Sequence, residues 1–148
     1  MAESAGVLFP VVAGALVDAA GRVLLQRRPA GKSMAGLWEF PGGKMEAGET
    51  PEAALARELR EELGIQADES AMRPLSFASA PLDGRHLLLL LFLVDRWTGE
   101  PRALEAEAVA WVRPDEMRRL PMPPADLPLV DALDAALRAH RLGAGDDR

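Results

Sequence analysis

The sequence has 148 residues, enough for one domain with a buried core, and it contains no cysteine, which excludes disulfides and cysteine-ligated zinc sites. Its formal net charge of −6 argues against a nucleic-acid polymer as partner, because proteins that track a phosphate backbone normally carry a basic face. The longest apolar run, Leu87 to Val94, has eight residues where a bilayer-spanning helix needs roughly 20, so we expect a cytoplasmic protein that does not bind membranes.

The N-terminal third of the chain predicts strands separated by glycine-containing turns. Two apolar runs, Val11 to Val17 and Arg22 to Arg27, are expected to form a β-hairpin, with Gly21 as the permissive turn residue. A loop rich in Gly and Pro follows, and it contains a short strand at Leu37 to Phe40.

A helix is predicted from Pro51 to Leu63. Thr50 is a suitable N-cap, Pro51 fits the first turn, and Gly64 stands where a left-handed C-cap belongs.

The rest of the chain predicts three strands and a final helix within one α/β domain that spans residues 1–148. The expected strands are Leu75 to Ala80, Leu87 to Val94 and Ala108 to Val112, and the second is expected to be buried on both faces because its residues do not alternate in polarity. The last helix is expected from about Asp126 to about Arg141, with a disordered tail, GAGDDR, from about residue 142.

Three glutamates on the first predicted helix are unusually close together. Glu58, Glu61 and Glu62 share one face, and the i,i+4 pair of like charges costs a few tenths of a kcal/mol. A solvated acidic face is the ordinary explanation. Glycines at positions 42 and 43, however, let backbone carbonyls approach this face, and Mg²⁺ prefers carboxylate and carbonyl oxygens. The pattern therefore predicts a metal site.

The spacing of these residues resembles the Nudix box, Gly-x5-Glu-x7-Arg-Glu-apolar-x-Glu-Glu-x-Gly-apolar, which residues 43–65 match at every defined position. This resemblance implies an α/β/α sandwich around a mixed β-sheet. It also implies an enzyme that hydrolyses a nucleoside diphosphate linked to another group.

Three segments further resemble MutT-type enzymes and the related CTP pyrophosphohydrolases: RRPAGKSMAGLWEFPGGK, GRHLLLLLFLVDRWTGEP and MPPADLPLVDAL. The implied reaction is attack of water on the β-phosphorus of a nucleoside triphosphate, which gives the monophosphate and pyrophosphate. Oxidised dNTPs such as 8-oxo-dGTP are the expected substrates, which would place the enzyme in nucleotide-pool sanitation and DNA repair, as a monomer or homodimer.

Other functions stay open at this point. CTP or 5-methyl-dCTP is an alternative substrate, and ADP-ribose or another nucleoside-diphosphate compound is a second. A non-catalytic Nudix binding or regulatory module is an alternative of another class. Loss of a box glutamate would favour that alternative, and none is lost.

The resemblance also implies roles for the box residues. The Gly42 carbonyl, Glu58 and Glu62 would bind Mg²⁺ or Mn²⁺, and Glu61 would be a further ligand or would orient the attacking water. Arg57 would hold the carboxylates by ion pairing.

A carboxylate outside the box is expected to take part in catalysis. Glu105 aligns with the extra carboxylate of the family and is the candidate general base, although the nearby Glu107 or a box glutamate could serve instead.

The candidate substrate-binding residues lie outside the box. They are Arg28, Ser33, Glu39, Phe40, Arg85 and Asp126. Ser33 stands where MutT-type enzymes carry a histidine, and Asp126 stands where they carry the asparagine that reads the 8-oxoguanine edge. An ionised carboxylate only accepts hydrogen bonds, so Asp126 could accept from the N4 amine of cytosine or from the N7 hydrogen of an 8-oxopurine. Asp126 could also be the N-cap of the last helix.

Overall fold

The computed structural model describes residues 7–146, and of residues 140–146 it describes the backbone only. The strands are β1 (Leu8–Leu16), β2 (Val23–Arg27), β3 (Trp38–Glu39), β4 (Gly42–Lys44), β5 (Gln66–Ala67), β6 (Arg73–Leu82), β7 (Arg85–Val94), β8 (Trp97–Thr98) and β9 (Ala108–Val112). The helices are α1 (Pro51–Leu63), α2 (Pro114–Met117) and α3 (Leu127–Asp146). Two 3₁₀ turns lie at Glu69–Ala71 and Pro124–Asp126.

The main sheet is mixed, as predicted. Its strand order is β4-β1-β7-β6, with β1 parallel to β7 and antiparallel to β4. A second, antiparallel sheet has the order β3-β2-β9, and β5 pairs with β8.

The predicted hairpin between β1 and β2 is wrong. Only the turn is paired, by an isolated bridge between Val17 and Val23 and by backbone hydrogen bonds that join Asp18 to Gly21 and Arg22. Both edges of β1 are already occupied, by β4 on one side and β7 on the other. The chain therefore leaves the turn into the second sheet, where β2 pairs with β9 and β3.

Helix α1 begins and ends where its caps predict. The Thr50 hydroxyl accepts a hydrogen bond from the Ala53 N–H at 3.1 Å, and Gly64 adopts a left-handed φ of 73° while its N–H closes the last turn on Arg60. The apolar side of the helix is fully buried at Leu55, Leu59 and Leu63.

Strand β7 is buried on both faces, as predicted. Leu89 and Leu91 belong to a core cluster that α3 completes, whereas Phe92 and Val94 belong to a second cluster that α1 completes. The two helices thus cover opposite faces of the main sheet. This arrangement confirms the α/β/α sandwich.

Some boundaries differ from the prediction. Strand β6 covers Arg73–Leu82 and turns directly into β7, so both strands are longer than their apolar cores. Helix α3 continues to Asp146, so residues 143–146 of the tail that we expected to be disordered are helical. Asp147 and Arg148 lie outside the described residues. Within the described part of the chain, no helix combines the length and the apolar character needed to cross a membrane.

Candidate active site

Two glycines bring strand β4 into direct contact with its neighbours. A β-carbon at Gly42 would overlap the Val12 carbonyl oxygen on β1, and a β-carbon at Gly43 would overlap the Glu58 carboxylate on α1. The Gly42 backbone therefore lies against β1, and the Gly43 backbone lies against the Glu58 carboxylate on the acidic face of α1.

Arg57 joins this loop to the helix. Its guanidinium donates to both oxygens of Glu49, at 2.7 and 3.0 Å, and to the Lys44 carbonyl at 3.0 Å. The Glu46 N–H adds a hydrogen bond of 2.8 Å to Glu49. Hydrogen bonds from Arg57 lower the pKa of Glu49 to about 2, with the Glu46 N–H as a further cause. Glu49 therefore braces the loop.

The same guanidinium contacts two glutamates of the acidic face. Arg57 Nη1 donates to Glu58 at 3.0 Å and to Glu61 at 3.2 Å. Glu58 is largely buried, and Glu61 is about half exposed. Arg57 thus offsets part of the repulsion between these carboxylates.

Glu62 lies deeper and has different partners. Its Oε1 accepts hydrogen bonds from the Gly42 N–H at 3.1 Å and from Gln26 Nε2 at 3.0 Å. Burial raises the pKa of Glu62 to about 8, and the charges of Glu58 and Glu105 act in the same direction. Burial also raises the pKa of Glu58, against the hydrogen bond and charge of Arg57.

The donor set suits a hard divalent cation, although the side chains are not yet gathered around one point. Among the described residues, no group of three or more His, Asp or Glu side chains is arranged to hold a metal ion. Glu58 and Glu61 are drawn to Arg57, while Glu62 is held by Gly42 and Gln26. The case for a divalent cation at this site therefore rests on donor chemistry. The site offers several carboxylates, whose repulsion Arg57 offsets only in part, and nearby backbone carbonyls of a glycine loop.

The two candidate carboxylates after β8 differ in their surroundings. Glu105 lies close enough to Glu58 and Glu62 for its charge to raise the pKa of both. Glu107 instead accepts a hydrogen bond of 3.1 Å from Arg27 and also donates its own N–H to the Arg27 carbonyl. Of these two carboxylates, Glu105 is the one whose charge acts on Glu58 and Glu62.

Three of the predicted substrate-binding residues form one group at the end of β2. Arg28 Nη1 contacts both Glu39 oxygens at 3.2 and 3.3 Å, and its Nε donates to the Ser33 carbonyl at 2.7 Å. The Ser33 hydroxyl accepts a further hydrogen bond from Arg28 at 3.3 Å. Burial raises the pKa of Glu39, and Arg28 and Gln26 act against this.

Asp126 lies beside this group and is almost fully buried, with 6% of its surface exposed. Its Oδ2 accepts a long hydrogen bond of 3.4 Å from the Phe40 N–H, rather than capping the first turn of α3. Burial raises the pKa of Asp126 to about 7, and the charge of Glu39 adds to this effect. Phe40 itself packs in the core cluster on the α3 side of the sheet.

Arg85 stands apart from these residues. Its guanidinium lies over the Phe9 ring, 4.0 Å from the ring centroid, and it shares no hydrogen bond with the Arg28 group among the described residues.

Sequence reasoning missed Gln26. This residue is 5% exposed, its amide contacts Glu62, and its Oε1 has no hydrogen-bond partner among the described residues. The available signal was a polar residue within the buried strand VLLQR. A cavity of about 1100 Å³ lies elsewhere, between the β1–β2 turn, α2 and α3, and it is lined by none of the predicted site residues.

Comparisons with known proteins agree on one family. The NUDIX domain family model matches residues 7–133. The chain is 42% identical over 130 residues to the CTP pyrophosphohydrolase of Escherichia coli (strain K12), a match that covers 88% of this chain and 94% of the relative. It is 36% identical over 124 residues to the 8-oxo-dGTP diphosphatase of the same strain, covering 83% and 94%. The solution structure of the E. coli ORF135 protein superposes with a TM-score of 0.80 at 40% identity, covering 92% and 94%.

Proposed function

The chain belongs to the NUDIX domain family and is a hydrolase of phosphoric anhydride bonds, and we propose that it converts nucleoside triphosphates to the monophosphate and pyrophosphate. The observation that supports this most directly is the close packing of the Gly42–Gly43 backbone against Glu58 and Glu62. Oxygen donors at such a site would bind the divalent cations that neutralise the charge of a polyphosphate.

Hydrolases of this type generally depend on a divalent metal ion. We propose Mg²⁺, which Mn²⁺ can replace, with the Gly42 carbonyl, Glu58, Glu61 and Glu62 as the residues that would hold it. When bound, such an ion neutralises phosphate charge and lowers the pKa of a bound water.

The chain's own residues then divide the remaining work. Arg57 would hold Glu58 and Glu61 in place through the contacts it already makes. Glu105 would accept the proton of the attacking water. The water oxygen bonds to the β-phosphorus, the bond from this phosphorus to the oxygen shared with the α-phosphate breaks, and the nucleoside monophosphate leaves.

The residues around β3 would bind the nucleotide. Arg28, oriented by Ser33 and Glu39, is suited to a phosphate or sugar oxygen, because guanidinium groups form strong charge-assisted hydrogen bonds. Asp126 would face the base beside Phe40, and Arg85 would approach from the start of β7. We propose oxidised dNTPs such as 8-oxo-dGTP as substrates and sanitation of the nucleotide pool as the role.

Cytidine nucleotides are the second candidate, and one residue favours them. Asp126 is a carboxylate at the position where MutT-type enzymes carry an asparagine amide. An ionised carboxylate is a good acceptor for the N4 amine of cytosine. The relative named CTP pyrophosphohydrolase, at 42% identity, also supports this candidate.

The remaining parts of the proposal follow from charge and size. A chain with a net charge of −6 is suited to small nucleotides bound through a cation rather than to a nucleic-acid polymer. We propose that it works in the cytoplasm as a monomer or a homodimer.

One panel of substrates tests the proposal. The nucleotides 8-oxo-dGTP, dGTP, 5-methyl-dCTP, CTP and ADP-ribose would be assayed with Mg²⁺, and pyrophosphate, orthophosphate and the nucleoside product would be quantified. We expect pyrophosphate and a monophosphate from the triphosphates. The Glu62→Gln variant, purified in the same way, should give almost no product. Release of orthophosphate, or ADP-ribose as the fastest substrate, would contradict the proposal.

A further inference from the structure

Gln26 occupies a position between the two halves of the active site. It is the fourth residue of β2 and lies directly opposite Glu39 in the antiparallel register of β2 and β3. Its side chain also reaches across to Glu62 on α1. A single buried amide is therefore flanked by a carboxylate of the proposed metal site and a carboxylate of the proposed nucleotide site.

The hydrogen bonds to Glu62 converge on one oxygen. Gln26 Nε2 and the Gly42 N–H both donate to Glu62 Oε1, at 3.0 and 3.1 Å. Neither donates to Oε2. Two donors on one oxygen fix the rotation of the carboxylate and leave the other oxygen for a cation.

The amide of Gln26 is poorly suited to a purely structural role. Its Oε1 is buried and has no hydrogen-bond partner within the described part of the chain, and burying an unpartnered acceptor destabilises a fold. An apolar residue of similar length would avoid this penalty in a strand whose preceding residues, Val23, Leu24 and Leu25, are all fully buried. Such an apolar residue would, however, lack the N–H group that Gln26 donates to Glu62.

We infer that Gln26 is a positioning residue for the metal site: its amide holds Glu62 Oε1 so that Oε2 is directed to the divalent cation. This inference rests on the proposed metal-dependent function. It assigns Gln26 no contact with the reacting atoms.

Metal binding without nucleotide tests the inference independently of turnover. Mn²⁺ would be titrated into the full chain, and free Mn²⁺ would be followed by electron paramagnetic resonance. Gln26→Met is expected to raise the Kd for Mn²⁺ at least about tenfold, the scale lost when a partner of a metal ligand is removed. Gln66, the other glutamine in the sequence, lies exposed on β5, so Gln66→Met is the matched control and should bind Mn²⁺ like the parent.

Thermal unfolding separates positioning from structure. Without metal, Gln26→Met should unfold within a few degrees of the parent, because removal of the unpartnered oxygen offsets the loss of one of the two hydrogen bonds to Glu62. If Gln26→Met fails to fold, the structural role is dominant and the inference is wrong. Gln26→Asn keeps the amide but is one methylene too short to reach Glu62, and it is expected to weaken Mn²⁺ binding in the same way.

A double-mutant cycle with Glu62→Gln distinguishes failure of the positioning role of Gln26 from failure of the proposed metal site. If Gln26 acts through Glu62, adding Gln26→Met to Glu62→Gln should change the Mn²⁺ Kd by less than about twofold. If Glu62→Gln alone leaves Mn²⁺ binding unchanged, the proposed metal site fails. If Glu62→Gln weakens binding but Gln26→Met does not, or if the two effects add, the metal site stands and the inference about Gln26 is overturned.

Discussion

The α-carbon of Gly43 lies directly against the Glu58 carboxylate, and no β-carbon fits between them. Strand β4 and helix α1 meet at this point, so the first glycine of the box and its first helical glutamate are in contact although 15 positions separate them in the sequence. Glycine at position 43 thus sets how deeply Glu58 can lie in the site.

Gly43→Ala should therefore disable the site without unfolding the protein. The new methyl group would push the Glu58 side chain away, and turnover should fall at least about tenfold, because a misplaced group costs much of its electrostatic effect. Gly21→Ala is the control. Its φ of 80° makes alanine strained, but nothing lies within 4 Å, so stability should fall by about 1 kcal/mol with kcat unchanged. Normal turnover in Gly43→Ala would show that Glu58 can move freely.

Glu62→Gln should lower kcat at least about a hundredfold at saturating Mg²⁺, the scale lost with a main charge-stabilising group. The fold should persist, because an amide oxygen can still accept from Gly42 and Gln26. Stability without metal should be equal or higher above about pH 8, because the ionised Glu62 then adds a like charge near Glu58 that the amide removes. Rates of pyrophosphate release and urea unfolding curves measure both effects. Near-normal turnover would remove Glu62 from the site.

Glu105→Gln should separate proton transfer from metal binding. If Glu105 is the general base, kcat should fall much further than Mn²⁺ affinity, and the deficit should shrink as pH rises and hydroxide replaces the base. Glu107→Gln is a matched control, because Glu107 is paired with Arg27. Parallel losses of turnover and Mn²⁺ affinity would make Glu105 a ligand, and a defect only in Glu107→Gln would exchange their roles.

Local signals in the sequence were sufficient for helix α1. Thr50 and Gly64 act through hydrogen bonds with residues three and four positions away, so the caps are determined by their neighbours in the chain. The β1–β2 hairpin failed for the opposite reason. The turn around Gly21 forms, but β1 pairs with β7, about 80 positions downstream. The local sequence pattern around β1 does not indicate this pairing.

In the candidate site, too, the features set by neighbouring residues could be predicted and those set by distant residues could not. The box spacing identified the acidic face of α1, because the three glutamates lie within one helix. Gln26 could not be identified as their partner, since its role depends on how β2 packs against α1. The contact of the buried Asp126 with Phe40 could not be predicted either, because Phe40 lies 86 positions earlier in the chain.

Asp126→Asn should shift the base preference towards 8-oxoguanine, whichever base the parent prefers. Under conditions where Asp126 is ionised, it only accepts hydrogen bonds, whereas an amide also donates and can pair with both O6 and the N7 hydrogen of 8-oxoguanine. The ratio of kcat/KM for 8-oxo-dGTP over 5-methyl-dCTP, measured at about pH 8.5, should rise at least about tenfold, equivalent to 1 to 2 kcal/mol. Replacement of the exposed Asp131 on α3 by Asn is the control and should leave the ratio unchanged. An unchanged ratio in Asp126→Asn would place base selection elsewhere.

The protonation of Asp126 should make this preference depend on pH. Burial and the charge of Glu39 raise its pKa from 3.8 to about 7, against the hydrogen bond from Phe40 and the charge of Arg28. In the folded protein the carboxyl therefore keeps its proton over a range in which the unfolded chain has lost it. Because folding raises this pKa, the protonated Asp126 stabilises the folded state fully below about pH 4, and this contribution is lost as pH rises through about 7.

A protonated carboxyl donates as well as accepts, so below about pH 7 Asp126 should behave like the asparagine of MutT-type enzymes, and above it like an acceptor for cytosine. The ratio of kcat/KM for 8-oxo-dGTP over 5-methyl-dCTP should accordingly fall several-fold between about pH 6 and about pH 8.5, with a midpoint near the pKa of this group. Titration of the box glutamates, which act in both reactions, cancels in the ratio. In Asp126→Asn the ratio should be flat across this range, and a parallel fall in parent and variant would show that another group sets the pH dependence.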